Sequence, residues 1–169
     1  IGLDNEITGK VGWDYNESAD PITPHMRAID SIYPQDEAFA DAIRGGVTTA
    51  CTGPGSANVV GGTFVIIKLA GNRIDNMIVK EPADMKCAFG ENPKRCYGQS
   101  GKKAPMTRMG TAALLRELLF KSRNYMEKKD AGEEPAFDMK LEAMIPVLKG
   151  EIPLKAHAHR ADDILTSIR

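Results

Sequence analysis

Apolar and polar positions follow two periods along the chain, which predict short strands and amphipathic helices. Runs of β-branched and apolar residues predict strands at VTTACT, TFVIIKLA, NMIVKEP, DMKCAFG and PLKAHAH. Helical spacing predicts helices at PQDEAFADAIRGG, over residues 107–129, at FDMKLEAMIPVLKG with a kink or early end at its proline, and at ADDILTSIR. Residues 1–34 are predicted to be loop with a helical turn near 26–32, and GPGSANVVGG a glycine-rich loop.

Strands that alternate with helices predict an α/β fold with parallel strands, because parallel neighbours need crossover helices. The 169 residues, 42% hydrophobic and 27% charged, are typical of one globular domain. A net charge of −1 argues against nucleic acid or an anionic membrane as the main partner. No apolar run reaches a membrane span of about 20 residues, and the first residues do not resemble a signal peptide.

The cysteines favour a reduced, cytoplasmic protein. Cys51, Cys87 and Cys96 are odd in number, and their spacing matches neither a zinc knuckle nor a CxxC redox motif. Free thiols are therefore the expected state.

The last predicted strand carries the strongest chemical signal. Side chains alternate across a strand, so Lys155, His157 and His159 share one face and the intervening apolar residues the other. The carboxyl end of a strand is where α/β folds place their active sites, and two imidazoles there suit zinc. Hydrogen-bonded strand histidines without a metal fit the spacing equally well. Asp162 and Asp163 follow, either to orient an imidazole or to begin the final helix.

Several loops add candidate substrate-binding residues. The backbone amides of GPGSANVVGG, which contains Ser56 and Asn58, bind an anionic group in one interpretation and form a plain turn in the other. Arg108 is predicted to bind a substrate carboxylate, with a solvated loop as the alternative. Trp13 and Tyr15 either wall a pocket or pack the N-terminal loop.

Four motifs together resemble the amidohydrolase superfamily, in particular its imidazolonepropionase-like and prolidase-like members: DAIRGGVTTACTGPGSANVVGG, GENPKR, TRMG and EIPLKAHAHRADDI. The resemblance implies part of a TIM-type (β/α)8 barrel, about strands 2 to 5 with their helices. It also implies one or two divalent metals, with zinc expected first and manganese or iron as alternatives. The HxH pair of the family's first strand is missing, and its ligands from strands six and eight would lie beyond Arg169.

Within the resemblance, four residues are candidate metal ligands. His159 is the better match to the fifth-strand ligand, and His157 is a second ligand or a close neighbour of the site. Lys86 and Glu91 are candidates for the fourth-strand ligand, which in the family is a lysine carboxylate or a glutamate.

The function implied is hydrolysis of a C–N bond in a small-molecule amide, peptide or cyclic amide by a metal-activated water. Residues 1–169 are expected to be a single partial domain, an internal fragment that is inactive alone and can form homo-oligomers through exposed barrel edges. The alternatives are a non-catalytic binding or structural module on the same fold and a phosphate-binding transferase that uses the glycine-rich loop.

Overall fold

The computed structural model describes residues 1–5, 8–101 and 103–169, and its elements follow the predicted order. In chain order, strands β1 to β6 are Thr49–Thr52, Val60–Thr63, Val65–Lys68, Ile78–Lys80, Met85–Ala88 and Leu154–His157. Helices α1 to α5 are Glu37–Arg44, Glu91–Pro93, Arg108–Asp130, Met139–Leu148 and Ala161–Ile168. Helix α2 continues as a π-helix over Lys94–Ser100, and 3-10 turns lie at Gly9–Gly12, Ala28–Asp30 and Ile74–Asn76.

The strands form two three-stranded sheets rather than one parallel sheet. Sheet β1-β3-β4 is antiparallel throughout, whereas in sheet β2-β5-β6 strand β5 is antiparallel to β2 and parallel to β6. The predicted parallel pairing is therefore confirmed for β5 and β6 and wrong for the other neighbouring strands in the described chain. A parallel pair needs a long crossover, and residues 69–77 between β3 and β4 are too short for one. The strand pairing shows a mixed α/β fold, and does not by itself show a barrel.

Strand β2 is the one strand of the described chain that the sequence pattern did not predict as a separate element. The sequence pattern places Val60, Gly61 and Gly62 in the glycine-rich loop, because the two glycines lower the strand signal, and it places Thr63 in the strand that follows. Gly62 has a φ of +119°, and the register with β5 shifts between Val60 and Gly62. A bulge of this kind favours glycine, so a composition that normally indicates a loop here lies inside a sheet.

Helices α3 and α4 each begin at a side chain that caps the helix N-terminus. Thr107 accepts a hydrogen bond from the Gly110 amide at the start of α3, and Asp138 caps α4 in the same way. Pro146 lies inside α4 and does not end it, since the helix continues to Leu148. No helix in the described ranges is both long and apolar enough to cross a membrane.

Two apolar clusters hold the fold together. The first lies between sheet β2-β5-β6 and helices α3 and α4, and its most buried members are Val59, Val60, Met85, Cys87 and Met144. The second joins β3 to the N-terminal segment and α1, through Leu3, Phe39, Val65, Ile67 and Leu69. Because the first cluster covers one face of β5 and β6, the other face is free to carry polar residues.

The N-terminal loop is held against the glycine-rich loop by a buried amide. Asn58 is 1% exposed, and its Nδ2 donates to the carbonyl oxygens of Glu17 and Asp20, both at 2.9 Å, and to Thr23 Oγ1 at 3.1 Å. The Tyr97 hydroxyl donates to the same two carbonyls. This network fixes residues 17–23 in place.

Replacing Asn58 by alanine is expected to lower the free energy of unfolding by about 1–2 kcal/mol, because buried acceptors lose a donor and only Tyr97 remains to serve the two carbonyls. Urea unfolding followed by circular dichroism measures the loss. Asn124→Ala, at an exposed position of α3, is the matched control and should change stability by less than about 0.5 kcal/mol. Equal effects of the two substitutions would show that the network contributes nothing.

Candidate active site

The carboxyl ends of β5 and β6 bring the predicted residues together. Their parallel register pairs Lys86 with Lys155 and Ala88 with His157. Met85 and Cys87, which alternate along β5, face the apolar cluster beneath the helices. Because side chains alternate, Lys86 and His157 lie on the opposite face of the sheet, away from the helices.

His157 occupies the last position of β6 and is half-buried. Its Nε2 lies 3.1 Å from the side-chain nitrogen of Asn92, and its carbonyl accepts a hydrogen bond from the Phe89 amide at 2.8 Å. Burial, followed by the nearby Lys86 and His159, lowers the pKa of His157. The ring is therefore neutral at pH 7, which is the form in which an imidazole binds a metal.

His159 lies beyond the end of β6, so the predicted strand was two residues too long. Its Nδ1 is 3.5 Å from Glu91 Oε1. The His157 and His159 rings nevertheless remain close, with centroids 4.6 Å apart and planes at 74°. Two imidazoles bound to one tetrahedral zinc at about 2.1 Å would have centroids roughly 5 Å apart. The spacing of the rings is thus compatible with a shared ion.

Lys86 is buried beside this pair. It is 9% exposed and makes no hydrogen bond or ion pair with any described residue. Burial, with Lys155 adding to it, lowers the pKa of Lys86. A larger share of its amine is therefore neutral than in a solvated lysine.

Lys155, two residues before His157 on the same face of β6, has a different environment. Its Nζ lies 3.2 Å from Asp84 Oδ2, 3.5 Å from Cys51 Sγ and 4.1 Å from the centre of the Phe64 ring. Burial alone would lower the pKa of Lys155, but the hydrogen bond to Asp84 raises it overall. The face therefore holds one paired, charged lysine and one unpaired lysine, a distinction that strand alternation cannot make.

Arg108, predicted to bind a substrate carboxylate, donates from Nε to Asp163 Oδ1 at 2.9 Å. Asp163 is 3% exposed, and its Oδ2 is buried without a hydrogen-bond partner among the described residues. That oxygen lies against Gly90, where an added Cβ would be 2.4 Å away. Gly90 leads directly into Glu91 and Asn92, so the Arg108–Asp163 pair supports the turn that contacts both histidines.

The glycine-rich loop uses its backbone amides within the fold. Three of them donate internally: Gly55 to the Tyr15 carbonyl, Ala57 to Asn16 Oδ1 and Val60 to the Pro21 carbonyl. These amides are therefore occupied in the folded chain. Neither Ser56 nor Asn58 makes a hydrogen bond with the two histidines in the described structure. The substrate-binding roles of Ser56 and Asn58 stay predictions.

Sequence reasoning missed the turn that supports the histidines. Asn92 lies in the GENPKR motif, but nothing in its spacing points to a histidine far along the chain. Asp163 was expected either to orient an imidazole or to begin the last helix; it lies in the first turn of α5 and binds Arg108. A glycine directly before an acidic helix start was the available signal for a tight turn at this place.

The side chains of this cluster are of the kinds that bind metal ions. The described residues contain no group of three or more His, Cys, Asp or Glu side chains that could hold a metal ion. They do bring together two imidazoles, one carboxylate and one unpaired lysine amine. These donors suit zinc, which takes three or four protein ligands, but they do not complete its coordination.

The fold and this cluster define an α/β protein whose polar site lies at the carboxyl ends of parallel strands. The whole chain superimposes on 45% of the crystal structure of an amidohydrolase from Thermotoga maritima MSB8, with a TM-score of 0.96 and 49% sequence identity. It is also 33% identical over 175 residues to amidohydrolase tasK of Hapsidospora irregularis, an alignment that covers 89% of this chain and 18% of tasK. No family model matches the chain.

These relatives place the chain in the amidohydrolase family, as the sequence motifs predicted. The chain spans less than half the length of both relatives.

Proposed function

We propose that the chain supplies part of the active site of a metal-dependent amidohydrolase that hydrolyses a C–N bond in a small-molecule amide, peptide or cyclic amide. The observation that carries this proposal is the placement of Lys86 beside His157 at the carboxyl ends of two parallel strands. The names of both relatives support hydrolase chemistry. In this proposal residues 1–169 contribute about strands 2 to 5 of a barrel and are inactive alone.

Four residues would contribute to the metal site: His157, His159, Glu91 and Lys86. Of the two histidines, we favour His157 over His159 as a metal ligand. His157 is on the strand beside Lys86, and its lowered pKa favours the neutral ring, whereas His159 is exposed beyond the strand end. Zinc suits these donors best, with manganese or iron as alternatives. When bound, such an ion acidifies a water molecule and polarises the scissile carbonyl.

The remaining groups of the cluster position these donors. Asn92 holds the His157 ring through its contact with Nε2. Glu91, which lies 3.5 Å from His159 Nδ1, either binds the ion itself or orients that ring. Lys86 has two routes to ligation. Its neutral amine can bind directly, or it can add to carbon dioxide and lose a proton to give the lysine carboxylate of the family resemblance.

The first test is zinc binding by the chain, measured by isothermal titration calorimetry. His157→Ala is expected to lower zinc affinity by about tenfold or more, because one of the few available ligands is lost. His25→Ala is the matched control and should leave the affinity unchanged, since His25 makes no hydrogen bond, ion pair or ring contact with the described residues of the cluster. Equal affinities of the two variants would contradict the proposed site. Absence of zinc binding, also in longer forms of the protein, would favour the non-catalytic module.

A further inference from the structure

A pocket separate from the two histidines lies between the N-terminal segment and the glycine-rich loop. Its volume is about 320 Å³, which is in the range of small-ligand sites. Two aromatic residues, Trp13 and Tyr15, and three acids contribute to its lining: Asp14, Glu17 and Asp30. Gly61 also lines it.

The aromatic and acidic wall is held in place by the fold. Three hydrogen bonds join residues 15–17 to the glycine-rich loop: Gly55 N to the Tyr15 carbonyl at 2.6 Å, Ala57 N to Asn16 Oδ1 at 3.0 Å and Asn58 Nδ2 to the Glu17 carbonyl at 2.9 Å. A Cβ on Gly55 would lie 2.6 Å from Asn16 Oδ1, so the two segments are in close contact. The wall is therefore formed before any ligand arrives, which reduces the entropic cost of binding.

The charges that line the pocket do not cancel. Arg27 is a lining cation, but its guanidinium lies 3.0 Å from Asp30 Oδ1 and 3.7 Å from Glu81 Oε1. The Asp14 side chain makes no hydrogen bond or ion pair with any described residue. Glu17 accepts one hydrogen bond from the Ala19 amide through Oε1 and has no cationic partner in the described chain. Among the residues that the structure describes, two carboxylates are thus left without a counter-ion.

We propose that this pocket binds a small organic cation, an alkylammonium or alkylguanidinium group, against the rings of Trp13 and Tyr15 with Asp14 and Glu17 as counter-ions. The negative face of an aromatic ring attracts a cation, and carboxylates add charge-assisted hydrogen bonds from N–H donors. The same groups repel a carboxylate or phosphate ligand.

Gly61 lines the pocket and also adjoins the candidate active site, because an added Cβ there would lie 3.6 Å from Lys86 Cγ. If the proposed hydrolase function holds, the pocket is the subsite for the cationic end of the substrate. This last step rests on the proposed function, whereas binding of the cation does not.

The test uses Trp13 as a reporter, because it is the single tryptophan of the chain. Its fluorescence is titrated with n-butylammonium, n-butanol and butyrate in buffer with a metal chelator. We expect a saturable fluorescence change with n-butylammonium. The two other probes should bind at least about ten times more weakly. Because the chelator removes zinc, the result does not depend on metal binding. Failure of the cation-binding proposal can therefore be distinguished from failure of the hydrolase proposal.

Variants then locate the cation. Asp14→Asn and Glu17→Gln should each weaken n-butylammonium binding by about threefold to tenfold, with unchanged circular dichroism. Asp75→Asn, which removes an exposed acid paired with Arg73, is the control and should have no effect. Equal binding of all three probes by the unaltered chain, or the same affinity in Asp14→Asn, Glu17→Gln and Asp75→Asn, would overturn the proposal.

Discussion

Replacing Gly90 by alanine is expected to lower the free energy of unfolding by about 3 kcal/mol or more. Gly90 has a φ of +76°, where an L-residue costs about 1–3 kcal/mol. In addition, the new Cβ would lie 2.4 Å from Asp163 Oδ2 and 2.9 Å from its Cγ. The carboxylate is buried and bonded to Arg108, so it cannot move aside without losing that contact. Strain and overpacking therefore add at this position.

Gly132→Ala separates the two contributions. Gly132 has a similar φ of +80°, but an added Cβ would meet nothing within 4 Å. Its substitution should cost only the backbone strain, about 1 kcal/mol. Urea unfolding of both variants, followed by circular dichroism, gives the comparison. Equal losses would show that Asp163 does not constrain Gly90 and that the turn before α2 is less tightly held than its contacts indicate.

The local chemistry of the last strand was accessible from sequence. Alternation alone placed Lys155 and His157 on a polar face, and β6 has that arrangement. The pattern also located the start of α5. The alternation does not predict which strand pairs with β6. That β5 lies beside β6 depends on a crossover through α3 and α4, which is a property of tertiary packing.

The interior of the site was harder to predict because its contacts join distant parts of the chain. Lys86 and Lys155 are both lysines on neighbouring strands, yet only Lys155 has a carboxylate partner. The pairing of Asn92 with His157 and of Arg108 with Asp163 likewise joins residues far apart in sequence. Periodicity reports which face of an element a residue occupies, but not which side chain it meets there.

Replacing Lys86 by methionine is expected to stabilise the chain by about 1–3 kcal/mol at neutral pH, although it removes a candidate ligand. An unpaired charge in a buried position is unfavourable, and an apolar side chain of similar shape removes that cost. The lowered pKa of Lys86 gives the direction of the pH dependence. Below its folded pKa the lysine is charged in both states, so the full cost is present there. As pH rises from that value toward the ordinary 10.5, the unfolded chain retains more protons and the folded state gains stability.

The gain from Lys86→Met should therefore be largest near neutral pH and should shrink as the pH approaches 10.5. Thermal unfolding at several pH values measures it, with Lys68→Met as the matched control because Lys68 is exposed on β3 and donates to Thr49 Oγ1. A stabilised variant with weaker zinc binding would mean that the fold retains a costly lysine for its chemistry, a common cost of active sites. A destabilised Lys86→Met at neutral pH would instead show that the amine has a favourable partner, and the neutral-ligand role of Lys86 would fail.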